Sequence, residues 1–133
     1  MVVDRELRHL VEHLIHGELS TIFVFGNPIN VSLTDHETMV SLSAPVYEGG
    51  NYIPGSVREC LKVRAPFQSN LLKTFFKVDE DRFHISLNYS GTLDSLDQEG
   101  FKELLEEFGH LTEEWRLYLD DHDKRDLIYV PVK

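Results

Sequence analysis

Residues 101–122 read FKELLEEFGHLTEEWRLYLDDH. At a spacing of three and four, Phe101, Leu104, Leu105, Phe108, Leu111, Trp115, Tyr118 and Leu119 fall on one stripe, the mark of a long amphipathic helix. The opposite face carries Glu103, Glu106, Glu107, Glu113, Glu114, Asp120 and Asp121, opposed only by Lys102 and Arg116. A helix divided in this way must lay its stripe on an apolar surface, so the upstream chain has to supply one. Trp115 continues the stripe set by Phe101 and Phe108 and is therefore read as core.

Working back from the helix, residues 91–96 form a linker, with Ser95 and Gln98, or Asp97, as caps. Before it stand LLKTFFKV, the acidic turn Asp79–Asp81 and FHISLNY, whose Phe83, Ile85, Leu87 and Tyr89 point one way. This is a β-hairpin. Ser56 lies three residues before Glu59, the spacing of a capping box, and predicts a short helix from Val57 to Val63, ended by Pro66. An irregular loop at Tyr47–Tyr52 precedes it. TIFVF, INVSL and TMVSLSAPV alternate with period two around the turn signals Gly26-Asn27-Pro28 and Thr34–Glu37, predicting three antiparallel strands. At the start, Asp4 caps a helix that runs to about His16 and stops at Gly17, with Val3, Leu7, Leu10, Val11, Leu14 and Ile15 on its buried side. After the long helix, LIYVPV has strand-like composition, but Pro131 restricts residues 126–133 to an edge strand or a flexible tail. The expectation is one α+β domain over residues 1–133, an antiparallel sheet in the order helix, three strands, helix, two strands, helix.

Bulk properties narrow the function. A length of 133 residues suits a single core. The net charge of −10 opposes direct contact with nucleic acid, which needs clustered cations. Residues 94–126 alone hold twelve acids against four Lys and Arg, a surface suited to a basic protein partner or simply to water. No apolar run is long enough to span a bilayer, and the first residues do not read as a secretory signal. With lone Cys60 in a chain that has no second cysteine, a cytoplasmic location is expected.

Catalytic patterns are weak. His9-Leu10-Val11-Glu12-His13 matches the spacing of inverted zinc peptidases, and His9 and His13, four apart on a helix, could share a metal. Both imidazoles, however, lie opposite the apolar stripe. Cys60 has no signature of a nucleophile around it and reads as packing. Two triplets, Asn30-Val31-Ser32 and Asn88-Tyr89-Ser90, match a glycosylation pattern that has no meaning in a cytoplasmic chain. No enzyme, metal or cofactor is expected. What stands out instead is apolar residues on both faces of strands: Ile22 and Val24 alternate with Phe23 and Phe25, and Leu72, Phe76 and Val78 share a segment with Leu71 and Phe75. If helices cover one side only, Phe23, Phe25, Met39 and Phe75 are exposed and mark a protein-binding surface. If a second copy covers the other side, they are not.

The order of elements, the length, the acidity and the closing segment resemble the class I type III secretion chaperones of the CesT/SycE-like group. The closing segment is Ile85-Ser86-Leu87, a linker, Phe101-x-x-Leu104-Leu105-x-x-Phe108, and Trp115-Arg116-x-x-Leu119. The resemblance implies a protein without chemistry of its own, which holds the N-terminal region of a secreted effector or gatekeeper in extended form. On that analogy Phe23, Phe25, Met39 and Phe75 are cargo contacts, with Leu10 and Leu14 as neighbours. Family members dimerise through an apolar middle helix, whereas here VRECLKVRAP is interrupted by Arg58, Lys62, Arg64 and Pro66. The alternatives are a homodimer and a heterodimer with a second chaperone, with Val57, Cys60, Leu61 and Val63 at the interface. Some members are thought to regulate transcription as well, so the acidic face of the long helix could meet RNA polymerase or a sigma factor without touching DNA.

Overall fold

The computed structural model describes residues 4–17, 19–34, 39–62, 72–92 and 98–128. Its elements follow the expected order: α1 (Asp4–Ile15), β1 (Ser20–Val24), β2 (Asn27–Thr34), β3 (Met39–Glu48), α2 (Gly55–Cys60), β4 (Thr74–Asp79), β5 (His84–Thr92) and α3 (Gln98–Ile128). The five strands form one antiparallel sheet ordered β1-β2-β3-β5-β4. The two hairpin units are thus joined through β3 and β5, leaving β1 and β4 as edges.

Period two places Ile22, Val24, Ile29, Val31, Val40, Leu42, Ala44, Val46, Ile85 and Leu87 on one face, and all are buried. The helices lie over that face. Leu7, Leu10 and Leu14 of α1 join the core, and α3 buries Phe101, Leu104, Leu105, Phe108, Leu111, Trp115 and Leu119, with Tyr118 half-buried. Trp115 is core, its ring edge-on to Phe76 at 4.8 Å between centroids. Two small residues complete the stripe. Gly109 is buried where α3 crosses β1, and a Cβ there would overlap Val24 Cγ1 and lie 2.7 Å from Val24 Cβ. Thr112 is fully buried, its hydroxyl donating to the Phe108 carbonyl at 2.8 Å.

The ends of elements depart from the sequence reading in four places. The first hairpin turns on Phe25-Gly26, with φ of 52° and 80°, rather than on Gly26-Asn27-Pro28. Val24 pairs with Asn27, so Asn27 and Pro28 belong to β2. A two-residue turn with both residues left-handed matches the twist of the strands it joins. Helix α2 opens at Gly55 after Pro54, and no side chain caps it. Ser56 is therefore inside the helix, not its cap, and its hydroxyl faces the His122 carbonyl at 3.5 Å. The second hairpin's strand begins at Thr74, and its turn is held by Asp79, whose Oδ1 accepts from the amides of Asp81 and Arg82. Finally, α3 continues to Ile128, absorbing the start of the segment read as strand-like. The caps expected at Ser95 and Asp97, the Pro66 stop and residues 129–133 lie outside the described residues.

Candidate functional site

The face of the sheet turned away from the helices carries the alternate residues. Register aligns Thr21, Asn30, Ser43, Asn88 and Phe75 in one row across all five strands. A second row holds Ser32, Ser41 and Ser90. No charged residue stands in either. Apolar side chains occur at the edges: Phe23 on β1 is 62% exposed and Phe75 on β4 is 46% exposed, with Lys77 Nζ 5.9 Å from the Phe75 ring centre.

The four aromatic and methionine candidates therefore do not form one patch. Phe23 and Phe75 share the open face but sit on opposite edges, four strand spacings or about 19 Å apart. Met39 opens β3, half-buried, paired with Thr34 and Thr92. Phe25 occupies the hairpin tip, 51% exposed, and leans toward α3, with its ring 6.1 Å from that of His110. Leu10 and Leu14 are core residues, each 3% exposed, because α1 turns its apolar stripe onto the sheet. Leu19, 71% exposed at the entry to β1, has no counterpart in the sequence reading, since a single apolar residue at a strand end leaves no periodic signal; Val78, on the alternation with Phe76, is 37% exposed near the end of β4.

Between α1 and the bare edge of β1 runs a groove of about 350 Å³ lined by Glu6, His9, Leu10, His13, Ser20, Thr21, Ile22 and Phe23. His9 and His13 stand on its wall, on the solvent side of α1 as their spacing required. Among the described residues no group of three or more His, Cys, Asp or Glu is arranged to hold a metal ion. The hairpin tip above the groove is anchored. Asn27, 5% exposed, donates through Nδ2 to the Phe25 carbonyl at 3.2 Å and to Glu113 Oε2 at 2.6 Å. Glu113 also accepts from Arg116 at 2.8 Å, and these bonds hold its carboxyl below the usual range, with Asn27 the larger cause. In a separate depression lined by Asn27, Pro28, Arg116 and Asp123, burial and the Asp123 carboxylate push the Tyr47 phenol up to about 12.

The acidic face of α3 is partly engaged within the chain. Glu113 is tied to Asn27 and Arg116, Glu114 stands 3.8 Å from His110, and Lys102 pairs with Asp4 of α1 at 3.2 Å. At the expected partner interface, Val57 and Cys60 are corrected to core residues, 0% and 3% exposed, because α2 presses them toward α3. The Cys60 thiol lies 3.2 Å from the Ser56 carbonyl, and burial pushes its pKa up, as suits packing rather than reactivity. Leu61 is half-buried, and Val63 is outside the described residues. Arg58 is not presented to a partner: it forms a two-pronged pair with Glu80 at 2.8 and 2.9 Å.

Comparison with solved structures places this arrangement. A chain of the ExsC–ExsE complex superposes with a TM-score of 0.63 at 16% identity, covering 86% of this chain and 91% of that one. A chain of the heterodimeric ExoU–SpcU complex from the type III secretion system of Pseudomonas aeruginosa gives 0.55 at 15% identity, covering 86% and 95%. A chain of the HopA1–SchA chaperone–effector complex gives 0.52 at 17% identity, covering 86% and 98%. The chain has the fold of a type III secretion chaperone. No protein-family model and no curated protein matches the sequence. In this chaperone fold the groove beside β1, the hairpin tip and the open sheet face are contiguous features around one edge strand, and no helix among the described residues is long and apolar enough to cross a membrane.

Proposed function

We propose that the chain is a chaperone that binds an extended segment of a secreted effector or gatekeeper and keeps it soluble for a type III secretion system. The observation that carries this reading is the pair of exposed phenylalanines, Phe23 on an edge strand whose free side faces the α1 groove and Phe25 at the hairpin tip that follows it. An edge strand offers unpaired amides and carbonyls to an incoming strand, and neighbouring aromatic rings supply affinity. Leu10 lines the floor of the groove, and Leu14 supports it from the core. The likeness to chains solved in effector complexes supports the reading.

The chain also associates, on this reading, with a second chaperone or with its own copy through the surface around Leu61, now without Val57 and Cys60. A role at RNA polymerase or a sigma factor through Glu103, Glu106, Glu107, Glu113, Glu114, Asp120 and Asp121 is not advanced, since Glu113 already serves Asn27 and Arg116.

The test is affinity capture from the native cytoplasm, followed by co-expression of the recovered secreted protein with wild type, Phe23→Ser and Phe25→Ser. Loss of the partner's solubility with both variants supports the proposal. Retention with both, or recovery of transcription proteins alone, overturns it.

A further inference from the structure

The row Thr21, Asn30, Ser43, Asn88, Phe75 crosses the entire sheet on its open face. Thr21 Oγ1 donates to Asn30 Oδ1 at 2.8 Å, and Asn88 Nδ2 donates to the Ser86 carbonyl and hydroxyl at 3.1 and 3.0 Å. These bonds fix the Asn30 and Asn88 side chains; Asn88 is itself buried, so the groups the row offers to solvent are those of exposed Thr21 and Asn30 and half-buried Ser43. In a chain of net charge −10, such a strip is an uncharged window, framed by Phe23 at one end and by Phe75 with Lys77 at the other. We infer that this row is the track for an uncharged, extended segment of the bound protein, seated by two apolar side chains about six residues apart.

The spacing follows from the sheet. The two phenylalanines are separated by four strand steps of ~4.8 Å across and two residues along, roughly 20 Å in all. An extended chain advances about 3.3 Å per residue, so about six residues span the gap. The floor between them selects against charge. Asn and Ser side chains can pair with backbone amides and carbonyls of a crossing chain, whereas an acidic side chain there would meet uncharged groups along the row and would lie in the field of an acidic protein. A second copy of the chain is a poorer occupant. Two such faces laid together would bury mostly hydroxyl and amide groups, and a stable dimer needs an apolar centre.

This inference rests on the chaperone reading and specifies its cargo. The probes are three fluorescent synthetic peptides of equal length: leucines six apart with Ser, Thr, Gln and Asn between them; the same composition with leucines three apart; and the first peptide with two central Glu. Anisotropy titration against the full chain is expected to rank the first peptide at least about fivefold tighter than the second and about tenfold tighter than the third. Phe75→Ser is expected to remove the spacing preference. Asn30→Asp, which keeps the acceptor for Thr21, and Ser43→Glu are expected to weaken the first peptide with melting temperatures near wild type, since Asn30 is exposed and Ser43 lies half-buried on the open face, outside the core. Equal affinities for the three peptides, or no measurable binding of any, overturn the inference. So does a mass by light scattering that halves on Ser43→Glu, which would make the face a contact between copies. Retention of the captured secreted protein by Ser43→Glu alongside its loss from Phe23→Ser would overturn the track while leaving the chaperone reading standing; retention by both would remove both.

Discussion

Replacing Gly109 by alanine tests whether the close crossing of α3 and β1 fixes the edge strand. In an exposed helix the change stabilises by about 1 kcal/mol, because alanine is the better helix former. At Gly109 the new methyl would overlap Val24 Cγ1 and sit 2.7 Å from Val24 Cβ, and neither belongs to a flexible side chain that can swing away. Overpacking of a core contact costs about 1–3 kcal/mol, and a clash with the Cβ of a β-branched side chain belongs in the upper part of that range, about 2–3 kcal/mol, so after the propensity gain the net expectation is a loss of about 1–2 kcal/mol. For a chain of this size that lowers the melting temperature by about 3–6 °C. Urea titration of Trp115 fluorescence, with Trp115 buried against Phe76, reads the change directly. In a Val24→Ala background, where Cγ1 is gone, Gly109→Ala should cost distinctly less, and the difference measures the coupling. A Gly109→Ala chain as stable as wild type, or more so, would refute the crossing as drawn, as would additivity of the two changes.

Phe25 holds a left-handed backbone that asparagine adopts with less strain. Phe25→Asn should therefore raise stability by about 0.5–1 kcal/mol in urea while weakening cargo binding; a less stable variant would show that its contact with His110 outweighs the strain. Asn27→Ala removes a buried bond to a carboxylate and should cost about 2 kcal/mol by the same titration, and a loss below about 0.5 kcal/mol would exclude the anchor. Because the folded pKa of Glu113 lies below its ordinary 4.5, its contribution is fully present above that value and is lost as pH falls through the folded one. The stability gap between wild type and Glu113→Gln should thus be constant at neutral pH and close in acid; a gap that widens in acid reverses the sign of the argument.

The fold was legible where burial is periodic. The stripe from Phe101 to Leu119 and the alternation in β3 and β5 report a single buried face directly. Gly109 and Thr112 were not legible as core, since a glycine and a threonine in a helix carry no apolar signal, and only the approach of Val24 shows why the helix needs them. Gly26-Asn27-Pro28 has strong turn chemistry and reads as the hairpin turn, while the carboxylate that holds Asn27 in β2 is 86 residues away. Phe23, Phe25 and Phe75 are legible as apolar residues off the core face, and all three are exposed, yet they do not group together. Strand order β1-β2-β3-β5-β4 puts Phe75 on the far edge, and strand order is a long-range property that local patterning does not contain. Leu10 and Leu14 belong to the stripe of α1 and are buried in the core, with Leu10 also at the floor of the groove.

Arg58 changes what a partner at α2 would have to offer. In the sequence, Arg58 and Lys62 interrupt the apolar middle helix and invite a partner of complementary charge. In the fold, both charges are answered within the chain, Arg58 by the two carboxylate oxygens of Glu80 and Lys62 by Glu59 at 3.2 Å. Glu80 in turn is lowered in pKa chiefly by that bond. A partner therefore meets Leu61 beside neutralised pairs, and association there should be driven by apolar contact rather than by charge. Light scattering of the assembled protein across a salt series separates the two cases, because exposed ion pairs are screened within about 10 Å at 0.1 M salt whereas apolar burial is not. Mass that stays constant or rises with salt fits the arrangement around Leu61. Dissociation with rising salt would mean that the partner competes with Glu80 for Arg58, and Glu80→Gln should then tighten the assembly at low salt.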